Sequence, residues 1–136
     1  MKSKNLLAFD LGASNGRAVL GAFDGARIAL NEIHRFDNPM VEQNGLYYWD
    51  ALGLYRQMKE AFLRLKHEGI AADCFGVDTW GVDFGLIDRN GALLGNSRCY
   101  RNGTPEGMAN VHAVVPQKTL FARTGIASMP FNTVYQ

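Results

Sequence analysis

The chain has 136 residues, and its 14 basic and 13 acidic side chains leave a formal net charge of +1. Hydrophobic residues make up 47% and charged ones 20%, a globular composition that excludes a disordered tail. A nearly neutral chain has no field for gathering nucleic acid or an anionic membrane, so neither is expected as a partner. The N-terminus reads Met-Lys-Ser-Lys-Asn, then an apolar run at residues 6–9, then Asp10, which is too short for a signal peptide core or a membrane span. Cys74 and Cys99 are the only cysteines, too few for a disulfide framework and without regularly spaced metal ligands around them. Cys74 lies in an apolar run and is expected as a small buried thiol, and the compartment implied is a reducing cytoplasm.

In chain order, residues 5–10 (NLLAFD) read as a buried strand, LGASNGR turns the chain, and residues 18–23 read as a second strand. Asp24-Gly25 is a hairpin signal, and residues 27–36 alternate as a third strand, so the chain opens with an antiparallel meander and not with a βαβ unit. Residues 37–48 read as a loop. A helix follows: Asp50 is its N-cap, and Ala51, Leu54, Tyr55, Met58, Ala61, Phe62 and Leu65 share one face. Lys66 and His67 suit its last turn, and Gly69 suits the position just past its end. Residues 74–79 (CFGVDT) then form a strand delivered by that helix, hence parallel to a neighbour. Residues 82–87 continue as a strand, DRNG (88–91) turns, and 92–94 return. Helices are expected at 105–114 and at 117–123, the second ended by Gly125. Residues 130–136 carry no charge and no tail character, and read as running on into a longer protein.

Two stretches concentrate chemistry. Residues 10–17 read DLGASNGR, a carboxylate at a strand's end followed by a turn bracketed by Gly12 and Gly16, with the hydroxyl of Ser14 and the guanidinium of Arg17. If the glycines take positive φ, successive backbone N–H groups can converge on an anion. Arg17 then offers a planar fork to a phosphoryl group, and Asp10 can hold a magnesium ion or its water. No Gly-Lys-Ser/Thr follows, and a strand comes next, which excludes a Walker A loop and a dinucleotide fingerprint. A glycine-rich hairpin turn with a solvated arginine fits the spacing equally well.

The second stretch is DTWGVDF (78–84), which sets two aspartates, Trp80 and Gly81 where one strand ends and another begins. Such breaks are where α/β sheets bind ligands. Gly81 would let a polyhydroxylated ligand reach the backbone, Trp80 could wall it, and Asp83 could accept from its hydroxyls. Taken alone, the plainer reading is a strand–turn–strand with Trp80 in the core and the aspartates capping loops. His34, His67 and His112 fall in unrelated elements and predict no metal cluster, while Tyr47, Tyr48 and Trp49 read as a core edge beside the helix cap.

In this order and distance, DLGASNGR (10–17), EIHRF (32–36), NG with YYWD (44–50), GVDTWGVDFGLID (76–88), YRN (100–102) and TGIASMPFNTVYQ (124–136) resemble the FGGY family of carbohydrate kinases. The resemblance spans nearly the whole chain, and DTWGVDF with MPFNTVYQ is its most specific part. It implies an α/β, ribonuclease H-like (actin-like ATPase) domain: a five-stranded mixed sheet with three leading antiparallel strands and flanking helices, incomplete in this chain. Residues 1–136 would be the N-terminal part of a sugar-binding domain, with the ATP-binding C-terminal domain absent. The implied reaction is ATP-dependent phosphorylation of a ketose, L-rhamnulose before others, with ATP and Mg2+ as cofactors. The resemblance places Ala13, Ser14, Asn15, Gly16 and Arg17 at the ATP phosphates and Asp10 at magnesium. It places Gly81 and Phe131 at the ketose, with Trp80 and Asp83 beside them.

The family's aspartate base lies in a His-Asp-Thr motif beyond Gln136, and no His-Asp-Thr occurs here. The remainder of a kinase chain is therefore an expected partner, and this part alone is not expected to turn over. Asn102 stands where relatives carry aspartate after Tyr-Arg, which questions a loop ion pair there. The rival readings are a kinase for another ketose or polyol, and a non-catalytic actin-like or sugar-binding module.

Overall fold

The computed structural model describes residues 3–136; Met1 and Lys2, which open the stretch read above, lie outside them. In chain order the elements are β1 (Lys4–Leu11), β2 (Asn15–Phe23), β3 (Ile28–Asp37), β4 (Val41–Gln43), β5 (Leu46–Tyr48), α1 (Ala51–His67), β6 (Cys74–Thr79), α2 (Pro105–Val114) and α3 (Gln117–Thr124). They fall into two compact units, one running to Pro39 and resuming over Asp50–Trp80, the other made of Met40–Trp49 and Gly81–Gln136.

The first unit is a four-stranded sheet in the order β3-β2-β1-β6 with α1 against it. β1–β2 and β2–β3 are antiparallel, and β6 joins parallel to β1, as the meander-then-helix pattern predicts. Leu7, Phe9 and Leu11 of β1 and Ala18 and Leu20 of β2 are buried, every second residue, because successive strand side chains leave opposite faces. Between Ala18 and Val19 the pairing with β3 slips by one, from Glu32↔Val19 to His34↔Ala18, so Ile33 is the extra residue of a bulge and both Ile33 and His34 are buried. The same face receives Ala61 and Leu65 of α1, with Leu54 and Met58 at its edge. Asp50 caps that helix by accepting the Gly53 N–H at 2.8 Å, and Gly69 takes φ 70° just past its end. Two residues of the predicted stripe are exposed: Tyr55, and Phe62, which sits against the rings of Phe9 and Phe75.

β6 lies at one end of the sheet, and every one of its residues is exposed. Cys74 is therefore exposed and is not the buried thiol its apolar run predicts. The buried cysteine is Cys99, whose thiol pKa is pushed up by that burial.

In the second unit, β4 and β5 form a hairpin around Asn44 (φ 53°) and Gly45 (φ 75°), where residues 37–48 read as a loop. Asn-Gly with both φ positive is the two-residue turn whose twist matches paired strands. The strands expected at 82–87 and 92–94 do not form; they meet only at an Ile87–Leu93 bridge, with Asp88 N–H on Ala92 O and Leu94 N–H on Leu86 O. Leu86, Ile87 and Leu94 are exposed, so no apolar layer supports a longer ladder. The turn itself holds, since Asp88 Oδ1 accepts from the N–H groups of Asn90 and Ala92 at 2.8 Å. Those bonds keep its carboxyl below the usual carboxylate range. Thr104 caps α2 through Gly107 N–H at 3.1 Å, and Gly125 ends α3 at φ 68°.

Asn102 binds the Tyr47 backbone both ways, its Oδ1 accepting the N–H at 2.9 Å and its Nδ2 donating to the carbonyl at 2.7 Å. An aspartate can make only the first bond, so no ion pair is needed to explain this side chain. Asn102→Asp is expected to lower stability by about 0.5–1.5 kcal/mol, the net worth of one such bond. Urea unfolding of the two proteins measures it, and identical midpoints would show that the donor contributes nothing.

Candidate functional site

The turn between β1 and β2 is closed by Gly12 N–H on Asn15 O at 2.9 Å, with Asp10 directly opposite Arg17. Arg17 Nε and Nη2 both reach Asp10 Oδ2, at 2.9 and 2.8 Å, in a pair that is about half exposed. Asp10 is also in register with Asp78 of β6, and Arg17 with Arg35 of β3. Paired residues project to the same face. Arg35, Arg17, Asp10 and Asp78 thus form a charged row across all four strands, on the face opposite Phe9 and α1. Sequence reading named Asp10 and Arg17 here, set Asp78 in the separate 78–84 stretch and missed Arg35; only strand register brings the four into line. Arg35 is held by Glu32 through paired bonds (Nη2–Oε2 2.5 Å, Nε–Oε1 3.0 Å), which raise its own pKa and lower that of Glu32. Its Nη1 donates to Asn15 Oδ1 at 3.3 Å.

Neither Gly12 nor Gly16 takes a positive φ, which corrects the expected use of these glycines. Gly16 is buried in β2, where a Cβ would enter the Phe36 ring. A Cβ on Gly12 would stand 2.8 Å from Asn15 O. The turn is instead held from behind by Asn38, which is 4% exposed. Its N–H donates to Ser14 O and its Nδ2 to Gly12 O, both at 3.0 Å. The carbonyls of Gly12, Ser14 and Asn15 are all engaged, while the N–H groups of Ala13 and Ser14 meet no acceptor among the described residues. That is an edge of donors suited to an anion. No sequence signal marks Asn38, which reads as loop.

No group of three or more His, Cys, Asp or Glu is placed to hold a metal among the described residues. Magnesium asks for less: it binds through one or two carboxylates and takes the rest of its shell from water and phosphate. Asp10 fits that demand, half exposed, with Oδ1 not used by Arg17.

In the second unit, Gly81 lines a cavity of about 290 Å³ with Val82, Leu120, Ile126, Val134 and the polar Thr124, Asn132 and Thr133. Gly81 is exposed, its φ is not positive, and a Cβ there would meet nothing within 4 Å. The next carbonyl, Val82 O, accepts from Thr133 Oγ1 at 2.7 Å and Gln136 Nε2 at 3.0 Å. Asp83 Oδ2 accepts the indole N–H of the buried Trp49 at 2.5 Å, so one of its oxygens is engaged within the protein. Phe131 is 40% exposed, stands edge-on to Tyr100 at 6.0 Å, and does not line the cavity of Gly81. Trp80 is partly buried against the core of the first unit.

No family model matches the chain. The fold is that of the sugar kinases, with the actin-like ATPase architecture. The structure superposes on the gluconate kinase of Lactobacillus acidophilus with a TM-score of 0.74, at 15% identity, over 98% of this chain and 27% of that one. On the xylulose kinase of Lactobacillus acidophilus the TM-score is 0.72, at 16% identity, over 97% and 27%. In sequence the chain is related to the rhamnulokinases: it is 42% identical over 139 residues to the rhamnulokinase of Pectobacterium atrosepticum. That match takes in 100% of this chain and 28% of the relative, so the chain spans little more than a quarter of the curated relatives it matches. The resemblance to carbohydrate kinases stands in fold and in sequence. Among the described residues no helix is long and apolar enough to cross a membrane.

Because Gly16 makes room for Phe36, Gly16→Ala is expected to cost about 1–3 kcal/mol through overpacking. Phe36→Leu in the same chain should recover part of it, read as a coupling in a double-mutant cycle of melting temperatures. Strict additivity would show that the two residues do not compete for the space.

Proposed function

We propose that this chain is the N-terminal part of a carbohydrate kinase that phosphorylates a ketose, L-rhamnulose before others, in rhamnose catabolism in the cytoplasm. The observation that carries the phosphoryl-transfer reading is the charged row beside the donor edge of the 12–15 turn. The choice of ketose is supported by the relatives, which are named rhamnulokinases.

In this reading Ala13, Ser14, Asn15, Gly16 and Arg17 hold the ATP phosphates and Asp10 holds Mg2+. Bound ATP with Mg2+ supplies the transferable γ-phosphoryl and neutralises part of its charge. Arg17 exchanges the Asp10 carboxylate for phosphate oxygens, which leaves Asp10 to the metal. Gly81 lets the ketose lie against the backbone, with Asp83 and Phe131 as further candidates to contact the sugar. Residues 1–136 form the first part of the sugar-binding domain, and the rest of the kinase supplies the base and the adenine site.

The test is a coupled assay of the intact kinase with ATP, Mg2+ and, in turn, L-rhamnulose, xylulose, gluconate and glycerol. L-Rhamnulose is expected to give the highest kcat/KM, and residues 1–136 alone no turnover above background. Preference for another sugar would reassign the substrate; turnover by the short chain would overturn the division of labour.

Arg17→Lys in the intact kinase should lower kcat/KM for ATP ten- to a hundredfold, about 1.4–2.8 kcal/mol, because an ammonium cannot bridge two phosphate oxygens. Wild-type kinetics in that variant would make Arg17 a partner of Asp10 only.

Gly81→Val separates ligand contact from folding, since neither φ nor space restrains a side chain there. The ketose KM should rise at least tenfold while the melting temperature and the ATP KM stay within error. A lowered melting temperature with an unchanged ketose KM would place the sugar elsewhere.

A further inference from the structure

We propose that the Asn38 side chain is the positioning residue that aims the Ala13 N–H at a phosphate oxygen of the nucleotide, a role that rests on the phosphate reading of this turn. A trans peptide unit is planar, with its carbonyl and the following N–H pointing in opposite directions. Whatever fixes the Gly12 carbonyl therefore fixes the Ala13 N–H. The Gly12 carbonyl accepts from Asn38 Nδ2 at 3.0 Å, behind the turn. The Ser14 carbonyl accepts from the Asn38 backbone N–H at 3.0 Å, which fixes the Ser14–Asn15 peptide by the same geometry.

Two further observations assign this work to Asn38. The turn lacks the positive-φ glycines that would orient its peptides without help. Asn38 itself is 4% exposed, and a buried amide is kept where its hydrogen bonds are made. The two bonds differ in what a substitution removes. The backbone bond to Ser14 survives any side chain except proline, whereas the bond to Gly12 needs an amide donor. Asn38→Ala frees the Gly12 peptide. Asn38→Asp sets an acceptor against an acceptor and favours the reversed peptide, with the Ala13 N–H turned inward.

The experiment measures ATP and AMP affinity by calorimetry on the intact kinase, with melting temperature and ketose KM recorded for each variant. Wild type should bind ATP at least tenfold more tightly than AMP. Asn38→Ala should reduce that ratio at least fivefold and Asn38→Asp further, with AMP affinity and ketose KM within twofold of wild type. A residue that only stabilised the fold would lower the melting temperature and leave the ratio intact, and that result overturns the proposal while the phosphate reading stands. A wild-type ratio near one overturns both. If neither variant folds, hydrogen exchange of the wild-type amides at residues 12–16 decides: slowing by ATP and not by AMP supports the proposal, and equal exchange in both overturns it.

Discussion

Strand β1 is hydrogen-bonded along both sides, to β2 running against it and to β6 running with it, and this double pairing sets Asp10, Arg17 and Asp78 side by side. It brings Asp10 beside Arg17, seven positions on, on one side and beside Asp78 through most of the first unit on the other. The covered face of the same strand is wholly apolar at Leu7, Phe9 and Leu11. One strand thus has a face that holds the unit together and a face that presents chemistry. The helix α1 supports the second by covering only the first.

The Asp10–Arg17 pair shows why such a site costs little to use. Both side chains are about half exposed, and an ion pair of that kind is worth about 0–1 kcal/mol. Breaking it to admit a phosphate and a metal ion forfeits little folding energy. The buried Asn38 is the opposite case. Its bonds are shielded from water and hold the turn in one shape before any ligand arrives, so less ordering remains to be done on binding.

Much of the fold was legible because its signals are local. The meander, the Asp50 cap with its helix, and Gly125 at the end of α3 follow from periodicity and turn chemistry over a few residues. Asn44-Gly45 was an equally local signal, and the hairpin it makes was missed because its strands are only three residues each, too short to show alternation. Residues 82–94 mislead in the other direction: two apolar stretches flank a clear turn, but a strand needs a neighbouring layer that composition does not reveal. At the site, Asp10 and Arg17 stand out by residue type, seven positions apart. Arg35 and Asn38 do not, because they join the site only through the β2–β3 pairing.

The bulge at Ile33 matters here as a shift of phase. Paired regularly, with no bulge, the same chain would set Ile33 opposite Ala18 and Arg35 opposite Gly16, with its guanidinium on the covered face. The inserted residue inverts the in–out parity of everything after it, so the two ends of β3 obey different rhythms. Upstream, Glu32 keeps step with Val19; downstream, Arg35 keeps step with Arg17. A β3 one residue shorter between Glu32 and Arg35 could pair regularly and still set Arg35 opposite Arg17, whereas a strand of this length must bulge to keep that guanidinium on the open face.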